Sequence, residues 1–224
     1  MEIIKKAGIR HKQGKPTCGM HAFANDLELH TGEVWTEEEI FSHWEAAGGV
    51  LDKKPGQGIT GTKVCEYLKS IGKILDYKHI TINLTPGLAT LKTKHIEEDA
   101  RHMILSALAD PSLGLLGGFF VYEDEDESGN FALDDAYFLT PPPLGTTVRG
   151  LHMMNIYGIR NDVKRDGFPC VAIENQYGPL WGLEGICFMG LGDISRLLRE
   201  VWSISYPKLE KKKIVVTRAS WKRK

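Results

Sequence analysis

Two hydrophobic periodicities divide this chain, and their order restricts the fold more than any single motif does. In the first half, apolar residues recur at helical spacing. After Cys18, the residues Met20, Phe23, Ala24, Leu27 and Leu29 form an approximate helical stripe. Thr36 followed by Glu39 is a capping-box pattern, with Ile40, Phe41 and Trp44 as the face to be buried and Gly48-Gly49 as the stop. Further helices are predicted over about 60–70, ended by Gly72, and about 96–108, ended by Asp110-Pro111. In the second half the apolar runs are short or alternating and separated by turn residues. Residues 117–122, 136–139, 152–159, 169–174 and 185–189 read as strands. A short helix is predicted over 194–201, after Asp193. Helices first and strands second predict an α+β protein with segregated layers. No internal repeat is found.

Composition limits the classes of function. At 224 residues the chain makes one ordinary domain or one larger two-lobed one. With 42% hydrophobic and 25% charged residues it can build a core, which excludes disordered and collagen-like chains. A formal net charge of −1 predicts neither nucleic-acid nor membrane binding. No apolar run approaches the roughly 20 residues that span a bilayer. The N-terminal MEIIKKAGIRHKQG has positive charge but lacks the apolar stretch of a signal peptide, so a cytoplasmic location is expected. Two segments are charge-biased. Residues 123–127 are five consecutive acids, expected in a solvated hairpin loop. Residues 208–224 hold eight basic residues and one acid. They are expected to form a solvated extension, with a nuclear or nucleic-acid patch as the alternative.

Four cysteines, Cys18, Cys65, Cys170 and Cys187, are too few and too scattered for a disulfide scaffold. Cys18 differs from the others because it opens a predicted helix. There the positive end of the macrodipole and the unpaired N–H groups stabilise a thiolate, the nucleophilic form. The plain alternative is a small buried hydrophobe. A base and an orienting group stand far downstream. His152 follows Cys18 by 134 positions on one predicted strand, and Asn175 follows it by 157 at the end of the next. Neighbouring strands can set an imidazole beside an amide, whose oxygen accepts one ring N–H and leaves the other nitrogen facing the thiol. Cys18 and His21 also have Cys-x-x-His spacing, but no matching second pair follows, so no metal site is expected. His21, His30, His43, His79, His95 and His102 read as surface or packing residues.

The segments KQGKPTCGMHAFA, GQGITGTKVCEYLKSIG, GLHMMNIYGI, AIENQYGPLWGLEGICFMG and ISYP occur in this order. Together they resemble the papain-like cysteine proteases over most of residues 8–207. The resemblance implies a two-lobed fold over residues 1–207. It would have a helical lobe at about 14–115, an antiparallel β-barrel-like lobe at about 116–207 and an active-site cleft between them. Residues 208–224 would lie beyond it as the basic extension. It implies catalytic roles for Cys18, His152 and Asn175, with Gln13 as the oxyanion-hole amide. Gly58, Met153, Tyr177 and Trp181 would contact a peptide or protein substrate. A cofactor is not implied, and the chain is expected to act as a monomer. Several features depart from the family pattern. Lys15 and Gly19 stand where a cysteine and an aromatic residue are usual, Gln13 precedes Cys18 by five positions, and Tyr177 replaces a tryptophan. Aligning Cys18 with the family's earlier disulfide cysteine would leave the site without a thiol. The usual signal peptide and propeptide are not matched, as expected of a non-secreted relative or a truncated gene product. The implied activity is peptide hydrolysis through a thioester. The alternatives are an inactive binding or regulatory protein on the same scaffold, and an acyl or peptidyl transferase.

Overall fold

A computed structural model describes residues 3–4, 17–50, 58–82, 91–122, 133–141, 143, 146–165, 167–178 and 180–207. Gln13, the acidic run 123–127 and the basic segment 208–224 lie outside the described residues.

The elements run β1 (Ile3–Ile4), α1 (Cys18–Thr31), α2 (Glu37–Ala46), α3 (Gly61–Ser70), β2 (Asp76–Thr81), α4 (Leu91–Ala109), β3 (Leu113–Tyr122), β4 (Val148–Arg165), β5 (Phe168–Glu174), β6 (Ile186–Gly190), α5 (Ile194–Leu197) and β7 (Leu198–Ser205). The local signals act as expected. Glycine at 32 ends α1 in the left-handed region, at φ 69°. The α2 capping box is complete: the Thr36 N–H donates to Glu39 at 2.7 Å and the Glu39 N–H to the Thr36 hydroxyl at 3.2 Å.

All strands join one antiparallel sheet in the order β2-β7-β3-β4-β5-β6, with β1 paired to β4. The chain is therefore α+β, but the sheet is open along this path, so a barrel-like lobe is corrected to an open sheet. Both of its faces are covered. Neighbouring residues on one strand enter different cores, as a period of two requires. Leu116, Met153 and Trp202 pack with α1, α2 and α3, whereas Leu115, Met154 and Val201 pack with α4 and α5.

Three other expectations are corrected. β2 lies in the supposedly helical half and pairs along its length with the final strand, β7. The helix predicted over 194–201 stops at Leu197, and residues 198–205 form β7 instead. That strand sends Leu198 and Val201 to one core and Trp202 and Ile204 to the other, and apolar residues three and four apart also read as a helix. The strand predicted over 136–139 makes only isolated bridges, Leu139 to Leu133 and Phe138 to Phe188. Prolines at 141, 142 and 143 follow it, and proline cannot donate to a ladder.

Candidate active site

The sheet and α1 bring three of the predicted residues together. α1 begins at Cys18 and packs on β3 and β4. β4 carries His152, opposite Phe119 of β3. β5, the next strand, ends at Glu174, which pairs with Asn155 of β4. Asn175 therefore leaves the sheet beside His152, held by its own N–H, which donates to the Gly185 carbonyl at 3.0 Å. The side chains of His152 and Asn175 meet at 2.8 Å, Nε2 to Oδ1, and both residues are buried. The amide oxygen can only accept, so Nε2 carries a proton and Nδ1 is the nitrogen left for Cys18.

Cys18 is partly exposed, whereas Cys65, Cys170 and Cys187 are buried. Its thiol is held below the ordinary cysteine value. Burial, the largest single influence, pulls the other way. The hydrogen bond and charge of His152, with the backbone N–H groups of Met153 and Gly19, outweigh it. The remaining thiols move in the opposite direction. Burial, with the charges of Asp26 and Glu66, pushes Cys65 up to about 12. Burial alone raises Cys187 well above its usual value, and it also raises Cys170. One thiol of four is thus made acidic, at a helix start and beside an imidazole.

Aromatic rings cover the His152–Asn175 contact. Tyr177 lies with its ring centroid 5.0 Å from that of His152, and Trp181 stands edge-on to Tyr177 at 6.0 Å. Desolvation, with the Cys18 charge adding, pushes the Tyr177 phenol up to about 12, so its neutral ring forms the cover.

The other predicted positions fall as follows. Gly58 is exposed, just ahead of α3. Met153 is buried between α1, α3 and the sheet, in the core that also holds Val64 and Trp202. There it forms a floor behind Cys18 rather than an open wall. Gln13 lies outside the described residues. Among the described residues, no group of three or more His, Cys, Asp or Glu side chains could hold a metal ion. No helix there is long and apolar enough to cross a membrane.

No protein-family model matches the chain, and no curated protein does. Solved structures do. Xylellain, a cysteine protease from Xylella fastidiosa, matches with a TM-score of 0.60 at 17% identity, over 92% of this chain and 86% of its own. The bromelain protease from Ananas comosus, solved with the E64 inhibitor, matches with a TM-score of 0.57 at 12% identity, over 93% and 99%. ProCathepsin B from Trypanosoma congolense matches with a TM-score of 0.55 at 12% identity, over 90% and 72%.

The chain has a papain-like fold. At such identities the likeness speaks for the fold alone, and the chemistry rests on the residues at the site.

The papain-like frame also gives His21, expected as a surface or packing residue, specific partners. His21 is 3% exposed, and its ring binds Thr17 on one side and Glu37 of α2 on the other. The readable signal was Thr17 four positions earlier on the same helical face. Glu37, on another helix, had none.

Proposed function

We propose that the chain is a cysteine peptidase acting on peptide or protein substrates. The observation that carries this reading is the Cys18–His152–Asn175 alignment, with one thiol held acidic against its own desolvation. Cys18 thiolate attacks the scissile carbonyl and forms a C–S bond. The oxyanion is held by the Cys18 backbone N–H and by the Gln13 amide. Collapse breaks the C–N bond as His152 gives its proton to the leaving amine. His152 then takes a proton from water, which attacks the thioester and releases the acid and the thiolate. Asn175 holds the ring in place, and Tyr177 and Trp181 keep water from the His152–Asn175 bond. Gly58 offers its backbone to an extended peptide, and Met153 forms the floor of the adjoining pocket.

The test uses the whole chain with iodoacetamide as the thiol probe and a mixture of unstructured peptides as substrate. Alkylation below about pH 7 is expected at Cys18 alone, and it should require His152. Cleavage is expected in the wild type and not in Cys18→Ser or His152→Ala. Labelling of Cys18 no faster than of Cys65 would remove the reading. Fast labelling without cleavage would move the chain to the binding or transferase alternatives.

A further inference from the structure

The His152 ring is controlled from two directions, and both controls lead back to one residue. Its Nε2–H is held by Asn175 at 2.8 Å, and its face is covered by Tyr177, against which Trp181 stands edge-on. Asn175 and Trp181 both lie on the stretch between β5 and β6. The Asn175 N–H donates to the Gly185 carbonyl at 3.0 Å, and the Gly185 N–H donates to the Trp181 carbonyl at 2.7 Å. The last ladder pair of β5 and β6 is Glu174 with Ile186, so the Asn175–Gly185 bond lies one step past the sheet. The backbone of Gly185 thus ties down both the orienting amide and the aromatic cover.

Gly185 reaches these partners through a tight turn. Leu183 and Ile186 exchange both backbone hydrogen bonds, at 2.8 and 3.1 Å, around Glu184 and Gly185. Both central residues have left-handed φ, 55° at Glu184 and 86° at Gly185. A two-residue loop with positive φ at both places is a type I′ turn, which favours asparagine or aspartate followed by glycine. Gly185 suits the second place. Glu184 does not suit the first, because a β carbon is crowded in the left-handed region and glutamate lacks the short polar side chain that lets asparagine enter it. Glu184 is exposed and Gly185 is buried, so a change at 184 acts on the turn and not on the core.

We propose that Gly185 is a positioning residue for His152: the left-handed turn it makes with Glu184 aims its carbonyl at Asn175 and its N–H at Trp181, and so sets how firmly the ring is held. The proposal rests on reading Cys18, His152 and Asn175 as the catalytic set.

The experiment reads the His152 ring directly, by NMR of the full chain carrying isotope-labelled histidine. Exchange of the His152 Nε2–H with water is measured, and beside it the rate of Cys18 alkylation by iodoacetamide at pH 6. The variants are Gly185→Ala, Glu184→Val, and Gly185→Ala combined with Glu184→Asn. Gly185→Ala puts a β carbon at a left-handed φ, and it is expected to speed Nε2–H exchange about tenfold and to slow alkylation. Glu184→Val brings a branched side chain, the least tolerant of positive φ, to an exposed position, and both readouts should move the same way. Asparagine improves the first turn position, so the double variant should regain a good part of the protection that Gly185→Ala loses. A turn that serves stability alone would lower the thermal midpoint of these variants and leave both readouts of the folded chain unchanged, and that result overturns the proposal. So does a double variant that exchanges as fast as Gly185→Ala. Should Gly185→Ala fail to fold, Glu184→Val carries the test by the same two readouts. Wild-type Cys18 that reacts no faster than Cys65 overturns the catalytic reading instead.

Discussion

Cys18, Cys65, Cys170 and Cys187 carry one functional group in four surroundings. For three of them burial is the deciding influence and the proton stays on sulfur. For Cys18 burial also opposes charge, but His152 and two backbone N–H groups exceed it. Hydrogen bonds to a charged group stabilise by about 1.5–3 kcal/mol each, so a few can offset a desolvation of several. Asn175 acts one bond further away, through the 2.8 Å contact that fixes the His152 ring. Loss of one such bond converts to a factor of about 10–100. Asn175→Ala is therefore expected to lower kcat/KM for a peptide by that factor and leave measurable turnover, whereas Cys18→Ser leaves none. Equal loss in the two variants would show that Asn175 does more than orient the ring. These three residues were legible because each sits in a short segment with a recognisable neighbourhood. The His21–Glu37 contact was not, since it joins two helices, and chain order does not say which helices touch.

At the scale of elements, caps and close approaches decide where helices start and how near they lie to the sheet. The Thr36–Glu39 box was readable because both its bonds are local. Replacing the Thr36 hydroxyl in Thr36→Ala is expected to cost about 1 kcal/mol. For a chain of this size that is about 2–4 °C in Tm, measured by thermal unfolding. Gly61 opens α3 against the sheet, and a side chain there would stand 2.5 Å from Met153 Cε and 2.6 Å from the Trp202 ring. Alanine is the better helix former, but here the clash outweighs propensity. Gly61→Ala is expected to destabilise by about 1–3 kcal/mol and to displace Met153 behind Cys18. A neutral or stabilising result would mean that α3 moves away without cost. β2 and β7 were the elements least visible in the sequence. β2 is an edge strand, largely exposed along its length, so it lacks a strong apolar alternation. β7 sends Leu198 and Val201 to one core and Trp202 and Ile204 to the other, so its apolar residues follow no simple alternation.

The whole molecule is closed by contacts between distant parts of the chain, and these set its response to pH. β7, the last strand, lies between β2 and β3, so the sheet cannot be completed until residues near 200 return to residues near 80 and 115. Just beyond β7, the Tyr206 hydroxyl donates to Asp26 of α1 at 2.7 Å, across 180 positions. His30 stacks on the same ring at 4.9 Å. The helix that carries Cys18 is thereby fastened to the segment that follows β7. Burial, with Asp26 beside it, holds the Tyr206 phenol well above its usual value. Cys65 is raised to about 12 by burial, with Asp26 again adding. Both groups stay protonated in the folded chain at a pH where the unfolded chain releases the proton. Their contribution is complete below the unfolded values, about 9 for the thiol and about 10 for the phenol, and it falls as pH rises towards the folded ones. Each group in that window removes about 1.4 kcal/mol per pH unit. Cys65→Ala leaves a small cavity, so it is expected to be less stable than the wild type at pH 8. From pH 9 upward the wild type alone carries the Cys65 loss, and the gap between the two should narrow by about 1.4 kcal/mol per unit. Denaturant midpoints at pH 8, 9, 10 and 10.5 measure that gap. A gap constant across the series would place the Cys65 thiol in water-like surroundings, contrary to its complete burial between α3 and the sheet.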